Sequence, residues 1–291
     1  MASTASNDGA NAPEAAALSG FSQGVWLGNA LRGPGPGGFV HGLSDLAHAY
    51  GSYERLFGCY LRCGGVRFEV AKAAQRLRST LAFRGEHGIL DADTDVAKTF
   101  DEHPVRPRFP TAFAPNAPDG CVVQFTRLAG FSPRMLMDAF AEDDIRHFMV
   151  LWLETSLRMQ GDSSRALDAP CPGVYDVYDC AGFKVSTLLY DVGAARSLSG
   201  LLSVGEQHYP ENLHRCFVIN APTIAQIVWK LLKPAISVET SRKVCISSGV
   251  PAELEQALGG KEAVEAMLSM RAPVESAETS ESADQTRPDE S

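Results

Sequence analysis

HYPENLHRCFVINAPTIAQIVWKLLKPAISVETSRKVCISSGV, residues 208–250, decides the fold. Tyr209-Pro210 closes a helix end, and CFVI at 216–219 is an apolar strand. Asn220-Ala221-Pro222 then turns the chain, because proline fixes φ and pushes the residue before it out of the α region. Apolar residues recur at Ile224, Ile227, Val228, Leu231 and Leu232, the spacing of one helical face. Pro234 ends that helix, a short polar helix covers 237–243, and a second strand covers 244–247. Strand, helix, strand within about thirty residues is the βαβ crossover of a parallel sheet.

The chain has 291 residues, 45% of them hydrophobic, enough for one sizeable core plus tails. A net charge of −9 disfavours nucleic acid or any partner held by bulk attraction to a cationic surface. The seven cysteines (Cys59, Cys63, Cys121, Cys171, Cys180, Cys216, Cys245) are odd in number and several sit inside apolar runs. That usage fits a reducing compartment better than a disulfide framework. Cys59 and Cys63 stand one helical turn apart without a second Cys/His pair, so core packing is expected there and no metal. Residues 1–20 show no signal-peptide pattern, and no window reaches the ~18–20 uninterrupted apolar residues of a membrane span. A soluble, cytoplasmic protein is expected.

Residues 1–43 are rich in Ala, Gly, Ser and Pro and read as a flexible arm; RGPGPGG at 32–38 lacks the Lys-Ser/Thr ending of a phosphate loop. A helical module is expected over 44–100. Ser44 reads as an N-cap, Leu46, Tyr50, Tyr53, Phe57 and Tyr60 follow at helical spacing, and a second helix over 68–84 turns Val70, Ala74, Leu77 and Leu81 inward. Residues 91–118 read as a proline-rich crossing segment and CVVQF at 121–125 as the first strand. A long helix over 132–160, broken near Glu142, presents Ile145, Met149, Trp152 and Leu153; VYDVYD at 174–179 is a strand, and 185–206 is mixed helix. Asp176 and Asp179 read as carboxylates on one strand face. Residues 251–270 are helical, with Leu254, Leu258, Val264 and Met267 to bury, and the acidic 272–291 tail has too few apolar side chains to order.

YPENL, a short strand, VINAP, a helix ending in KLLKP, and SVETSRKV together resemble the signature of the CRAL-TRIO lipid-binding family. LGG at 258–260 and RFEVAKAAQRLRSTLAFR at 67–84 extend the resemblance to most of the folded chain. It implies an α/β fold whose mainly parallel sheet is the floor of a lipid pocket covered by helices, over residues 101–271, preceded by the small helical module. It also implies a carrier of phosphatidylinositol or another hydrophobic small molecule, monomeric, cytoplasmic and peripheral at membranes, without cofactor or nucleic-acid partner.

By the same resemblance, Glu211, Thr240 and Lys243 stand where phosphatidylinositol transfer members hold the headgroup. The chemistry agrees, since an ammonium and a hydroxyl at i, i+3 share a helix face and can meet a phosphate. Ile224, Ile227, Val228 and Leu231 fall on the gate helix over the pocket. The hydroxyls that mark phosphatidylcholine binding are replaced by Val174 and Asp176. A carboxylate there opposes a phosphodiester and, if buried, needs a partner. Phosphatidylcholine is therefore expected to bind weakly, and a second ligand to be uncharged, sterol-like or isoprenoid. His214 in place of glycine and Asn212 after YPE also depart from the pattern. No hydrolase elbow, zinc-protease or dinucleotide motif is found, so no enzyme is expected. The alternatives are a lipid-sensing adaptor with little transfer and a carrier of a non-phospholipid ligand.

Overall fold

The computed structural model describes residues 38–63, 66, 68–90, 95–183, 203–223 and 225–270, and for residues 38–41, 226, 228, 231, 232 and 235 the backbone alone. The expected arm up to residue 37, most of 185–206 and the acidic tail lie outside the described residues.

The chain first forms α1 (Gly38–Tyr50), α2 (Tyr53–Arg62), α3 (Val70–Glu86) and α4 (Val96–Glu102). The periodicity that reads as one helix from Ser44 is two. Gly51 takes a left-handed φ of 94°, and Ser52 then caps α2 by accepting from the Arg55 amide at 3.1 Å. α1 also starts upstream of Ser44, which is mid-helix. Tyr50, Leu56, Phe57, Tyr60, Leu77 and Leu81 share one core, while Tyr53, expected with them, is 44% exposed.

Next come β1 (Thr111–Ala114), β2 (Val122–Arg127), α5 (Pro133–Ala139), α6 (Glu142–Leu167), β3 (Val174–Asp179) and β4 (Leu213–Ile219). α7 (Ala225–Leu232), α8 (Val238–Arg242), β5 (Val244–Ile246), α9 (Ala252–Leu258) and α10 (Lys261–Ser269) complete the fold. The five-stranded sheet runs β1-β2-β3-β4-β5, with β1 antiparallel to β2 and the other neighbours parallel. The βαβ crossover read from 208–250 is β4-α7-β5. β1 corrects the reading of 91–118 as a crossing segment without a strand. It is a four-residue edge strand flanked by Pro110 and Pro115, a place where proline does not break a ladder.

α6 is the spine between layers. It restarts after Phe140-Ala141, with Glu142, Asp143 and Asp144 in its first turn complementing the helix dipole. At Gly161 it lies so close to α1 that an added Cβ would stand 2.6 Å from the Ala49 carbonyl.

The helical module is tied to α6 by a buried charge network. Arg84 donates to both Glu154 oxygens, at 2.7 and 2.8 Å, and to Asp45 at 2.8 Å. Tyr209 donates to Glu154 at 2.9 Å and Arg158 bonds Asp45. Burial alone would lower the Arg84 pKa, but Glu154 and Asp45 outweigh it and raise it. Burial works against the Asp45 carboxylate too, yet Arg84 and Arg158 hold it below the usual carboxylate range.

Strand alternation gives the sheet two different faces. Val123, Phe125, Tyr175, Val177, Phe217 and Ile219 pack beneath α9 and α10 against Leu254, Leu258, Val264 and Met267. Gln124, Thr126, Val174, Asp176, Tyr178, Cys216 and Val218 point the other way. Asp176 and Asp179 therefore do not share a face: three residues apart on a strand of period two, they are on opposite sides. Asp179 is structural, accepting from Ala181 N at 3.0 Å and Asn220 Nδ2 at 2.8 Å.

Candidate functional site

Over the second sheet face lies a cavity of about 1230 Å³. That exceeds the roughly 300–1,000 Å³ common for drug-sized ligands. Its floor carries Gln124, Thr126, Asp176 and Tyr178 among Val174, Val218, Val244 and Ile246. Leu136 of α5, Phe140 between the helices, and Ile145, Met149 and Trp152 of α6 form one wall, and Ala225, Trp229 and Ile236 close another. An apolar enclosure with a few polar groups on its floor suits a long amphiphile.

The gate residues divide. Ile224 lies outside the described residues, and for Val228 and Leu231 only the α7 backbone is described. Ile227, expected on the face that meets acyl chains or membrane, is 50% exposed and forms no part of the wall. Ala225 and Trp229, one turn apart, take the inner face, which places Ile227 roughly opposite at ~100° per residue.

Glu211, Thr240 and Lys243 come together on the cavity lining. Lys243, at the end of α8, donates to Leu213 O at 2.7 Å and lies 3.4 Å from Glu211 Oε2. An ammonium has three donors, so one remains for a ligand. Ser237 caps α8 by accepting from Thr240 N at 3.0 Å and also donates to the Thr240 hydroxyl at 3.0 Å. Glu211 sits in the left-handed region at φ 57°, in a turn secured by the helical module. Tyr50 donates to Pro210 O at 3.2 Å, Tyr60 to His208 O at 3.0 Å, and Gln160 Nε2 to the Asn212 side chain. His208 also lines the cavity, stacked on Phe83 at 4.0 Å, and burial pushes its pKa down to about 4.

Asp176 behaves oppositely. Its side chain forms part of the cavity floor with Oδ1 buried, and burial pushes its pKa up to about 7 despite the Tyr178 hydroxyl, which favours the ionised form. A raised carboxyl pKa favours the folded state fully below the unfolded value near 3.8, and that contribution is lost as pH rises toward 7. Asp176→Asn is therefore expected to raise the melting temperature at pH 8 by several degrees and to change it little at pH 4.5. Equal effects at both pH values in thermal melts would contradict a strained carboxyl. His208 has the reverse sign, its contribution complete above 6.5 and lost on acidification toward 4, so it does not mimic the alkaline gain.

Elsewhere, Asp119, Cys121 and His214 bring ligand-type atoms within 4.8 Å of one another. Both Asp119 oxygens are engaged, Oδ1 by Cys121 N at 3.0 Å and Oδ2 by the Tyr175 hydroxyl at 2.8 Å. The seven cysteines are unpaired, and Cys63 donates to the Tyr60 carbonyl. No helix among the described residues is long and apolar enough to cross a membrane.

The model of the CRAL/TRIO domain matches residues 117–264, which contain the sheet from β2 onward and the cavity floor. This chain belongs to the CRAL/TRIO family. The family comprises lipid-binding carriers of lipophilic ligands, and the helical module lies outside the matched region. A CRAL-TRIO domain-containing protein of Caenorhabditis elegans is 20% identical over 191 residues, 66% of this chain and 26% of that protein. Protein real-time of Anopheles gambiae is 23% identical over 211 residues, 72% of this chain and 29% of that protein. A phosphatidylinositol/phosphatidylcholine transfer protein of Arabidopsis thaliana is 24% identical over 180 residues, 61% and 32% of the two chains. The chain thus spans between a quarter and a third of the length of these relatives. The crystal structure of Sfh5 superposes with a TM-score of 0.49 at 16% identity, covering 75% of this CRAL/TRIO chain and 73% of that one.

Proposed function

We propose that this chain encloses a phospholipid, phosphatidylinositol foremost, and exchanges or presents it at membranes. The observation that carries the reading is one cavity of about 1230 Å³ whose lining joins apolar walls to the Glu211, Thr240 and Lys243 cluster. Acyl chains against those walls are stabilised by ~0.8 kcal/mol per methylene removed from water. Lys243 offers its remaining donor to the phosphate, Thr240 a hydroxyl, and Glu211 accepts from inositol hydroxyls while holding the lysine. Similarity to the Arabidopsis phosphatidylinositol/phosphatidylcholine transfer protein supports a phospholipid reading of the shared region. Ile227 and Val238, 50% and 67% exposed, provide apolar contacts for a transient membrane encounter beside the cavity-lining Trp229 and Ser237. The carrier acts as a monomer.

Transfer between vesicles tests this. Purified protein should move labelled phosphatidylinositol from donor to acceptor vesicles far faster than spontaneous exchange, and phosphatidylcholine much less, because Val174 offers no hydroxyl and Asp176 opposes the phosphate. Lipid that binds but does not move would transfer the weight to a lipid-sensing role. Equal transfer of both lipids would remove Val174 and Asp176 from the headgroup region.

A further inference from the structure

Asp176 sits mid-floor in the cavity. Register places it between Gln124 of β2 and Cys216 of β4, with Tyr178 two residues along its own strand. All four side chains line the cavity. Asp176 Oδ1 is buried and has no hydrogen-bond partner among the described residues. Its neighbours by register are an amide, a thiol and a phenol, so none of the three brings a positive charge. A carboxylate held away from water needs a cation or several donors, and among the described residues next to it only the Tyr178 hydroxyl serves it. A phosphate is repelled by the ionised carboxylate and so does not compensate it. An alcohol could donate one hydrogen bond but would leave the charge uncompensated.

Resting on the cavity being a lipid pocket, we infer that this floor takes an amphiphile with one long chain, a protonated amine and no phosphate, Asp176 serving as its counter-ion. The carboxyl gives up its proton to solvent when the ammonium enters, so the bound pair carries no net charge. Charge-assisted bonds of this kind are roughly twice as strong as neutral ones. Gln124, the register partner of Asp176 on the cavity floor, offers an amide to a hydroxyl next to the amine. Burial, which already holds the free carboxyl near half-ionisation at neutral pH, makes the site responsive to a cation rather than indifferent to one. The uncharged second ligand expected from the sequence becomes the competing outcome.

Octadecylamine and octadecanol differ only at the head, which isolates the charge. Each is delivered from cyclodextrin to the full chain at 0.5 M salt, where attraction to the acidic surface is screened, and bound ligand is measured by equilibrium dialysis. The amine is expected to bind at least ~10-fold tighter than the alcohol, and Asp176→Asn to lower amine affinity ~10- to 100-fold and abolish the preference. Should Asp176→Asn fail to fold, Asp176→Glu keeps the charge and is expected to retain the preference. Alcohol binding as tightly as amine, or amine binding unaffected by loss of the carboxylate, overturns the inference. Phosphatidylinositol binding without amine binding overturns this inference alone, while binding of none of the three probes overturns the lipid-pocket reading with it.

Discussion

Arg84→Ala is expected to cost about 3–5 kcal/mol of folding stability, the largest single effect among the charge pairs described. For a domain of this size that is roughly 6–20 °C in melting temperature. Arg84 and Glu154 are both 0% exposed, and removing the guanidinium strips the buried Glu154 of its cation, while Asp45, 22% exposed, keeps Arg158 at 2.9 Å. Desolvation of the orphaned Glu154 carboxylate, rather than the lost attraction, dominates. The pair is not itself a large net contributor to stability, because burying two charges offsets most of what their attraction gains. Arg84→Met combined with Glu154→Leu should therefore be less destabilised than Arg84→Ala, although it strips Tyr209 of its acceptor. By contrast, Lys98→Ala, which breaks an exposed pair 3.9 Å from Glu102, should shift stability by under ~0.5 kcal/mol. Denaturant titrations of these variants decide the matter; an Arg84→Ala loss no greater than the Lys98→Ala loss would mean the network is solvated. The network also has a functional reach, since Tyr209 lies two residues before Glu211.

The second large effect falls on ligand binding. Lys243→Ala and Glu211→Ala should each weaken phosphatidylinositol binding by ~10- to 100-fold, the loss of a charge-assisted contact worth ~1.5–3 kcal/mol. Neither side chain is buried, so the melting temperature should move little. The two are coupled: Glu211 fixes the ammonium 3.4 Å away, so the double variant should lose less than the product of the single losses. Isotherms with vesicles of defined phosphatidylinositol content check this, and undiminished binding by the double variant would place the headgroup elsewhere.

Much of this was legible in the chain itself. The βαβ crossover, the parallel sheet and the α9–α10 cover follow from periods of two and near 3.6, which burial imposes on any sequence. β1 was hidden because four residues are too few to display a period, and only pairing with β2 makes TAFA a strand. The split of α1 from α2 was written in Gly51-Ser52, a left-handed residue followed by an N-cap, but continuous aromatic spacing across it masked the break. Arg84 and Glu154 gave no signal, because a buried ion pair 70 residues apart in sequence looks like two solvated helix positions until the helices pack. Within the site, Glu211, Thr240 and Lys243 were readable from short motifs, whereas Gln124 and Tyr178 were not singled out. Their cue was polar residues at alternate positions of strands buried on both faces. Several apolar residues share the α7 sequence, so periodicity alone does not separate a cavity-facing side from a membrane-facing one, and the position of Trp229 shows which side meets the cavity.

The most direct measurement is mass spectrometry of the lipid extracted from chain purified under native conditions, paired with uptake from vesicles. One lipid per folded chain is expected, with phosphatidylinositol enriched over its share of the host membranes and depleted in Lys243→Ala protein. A folded chain that carries no lipid and takes none from vesicles would contradict it, for a 1230 Å³ apolar cavity would then have no amphiphile to enclose.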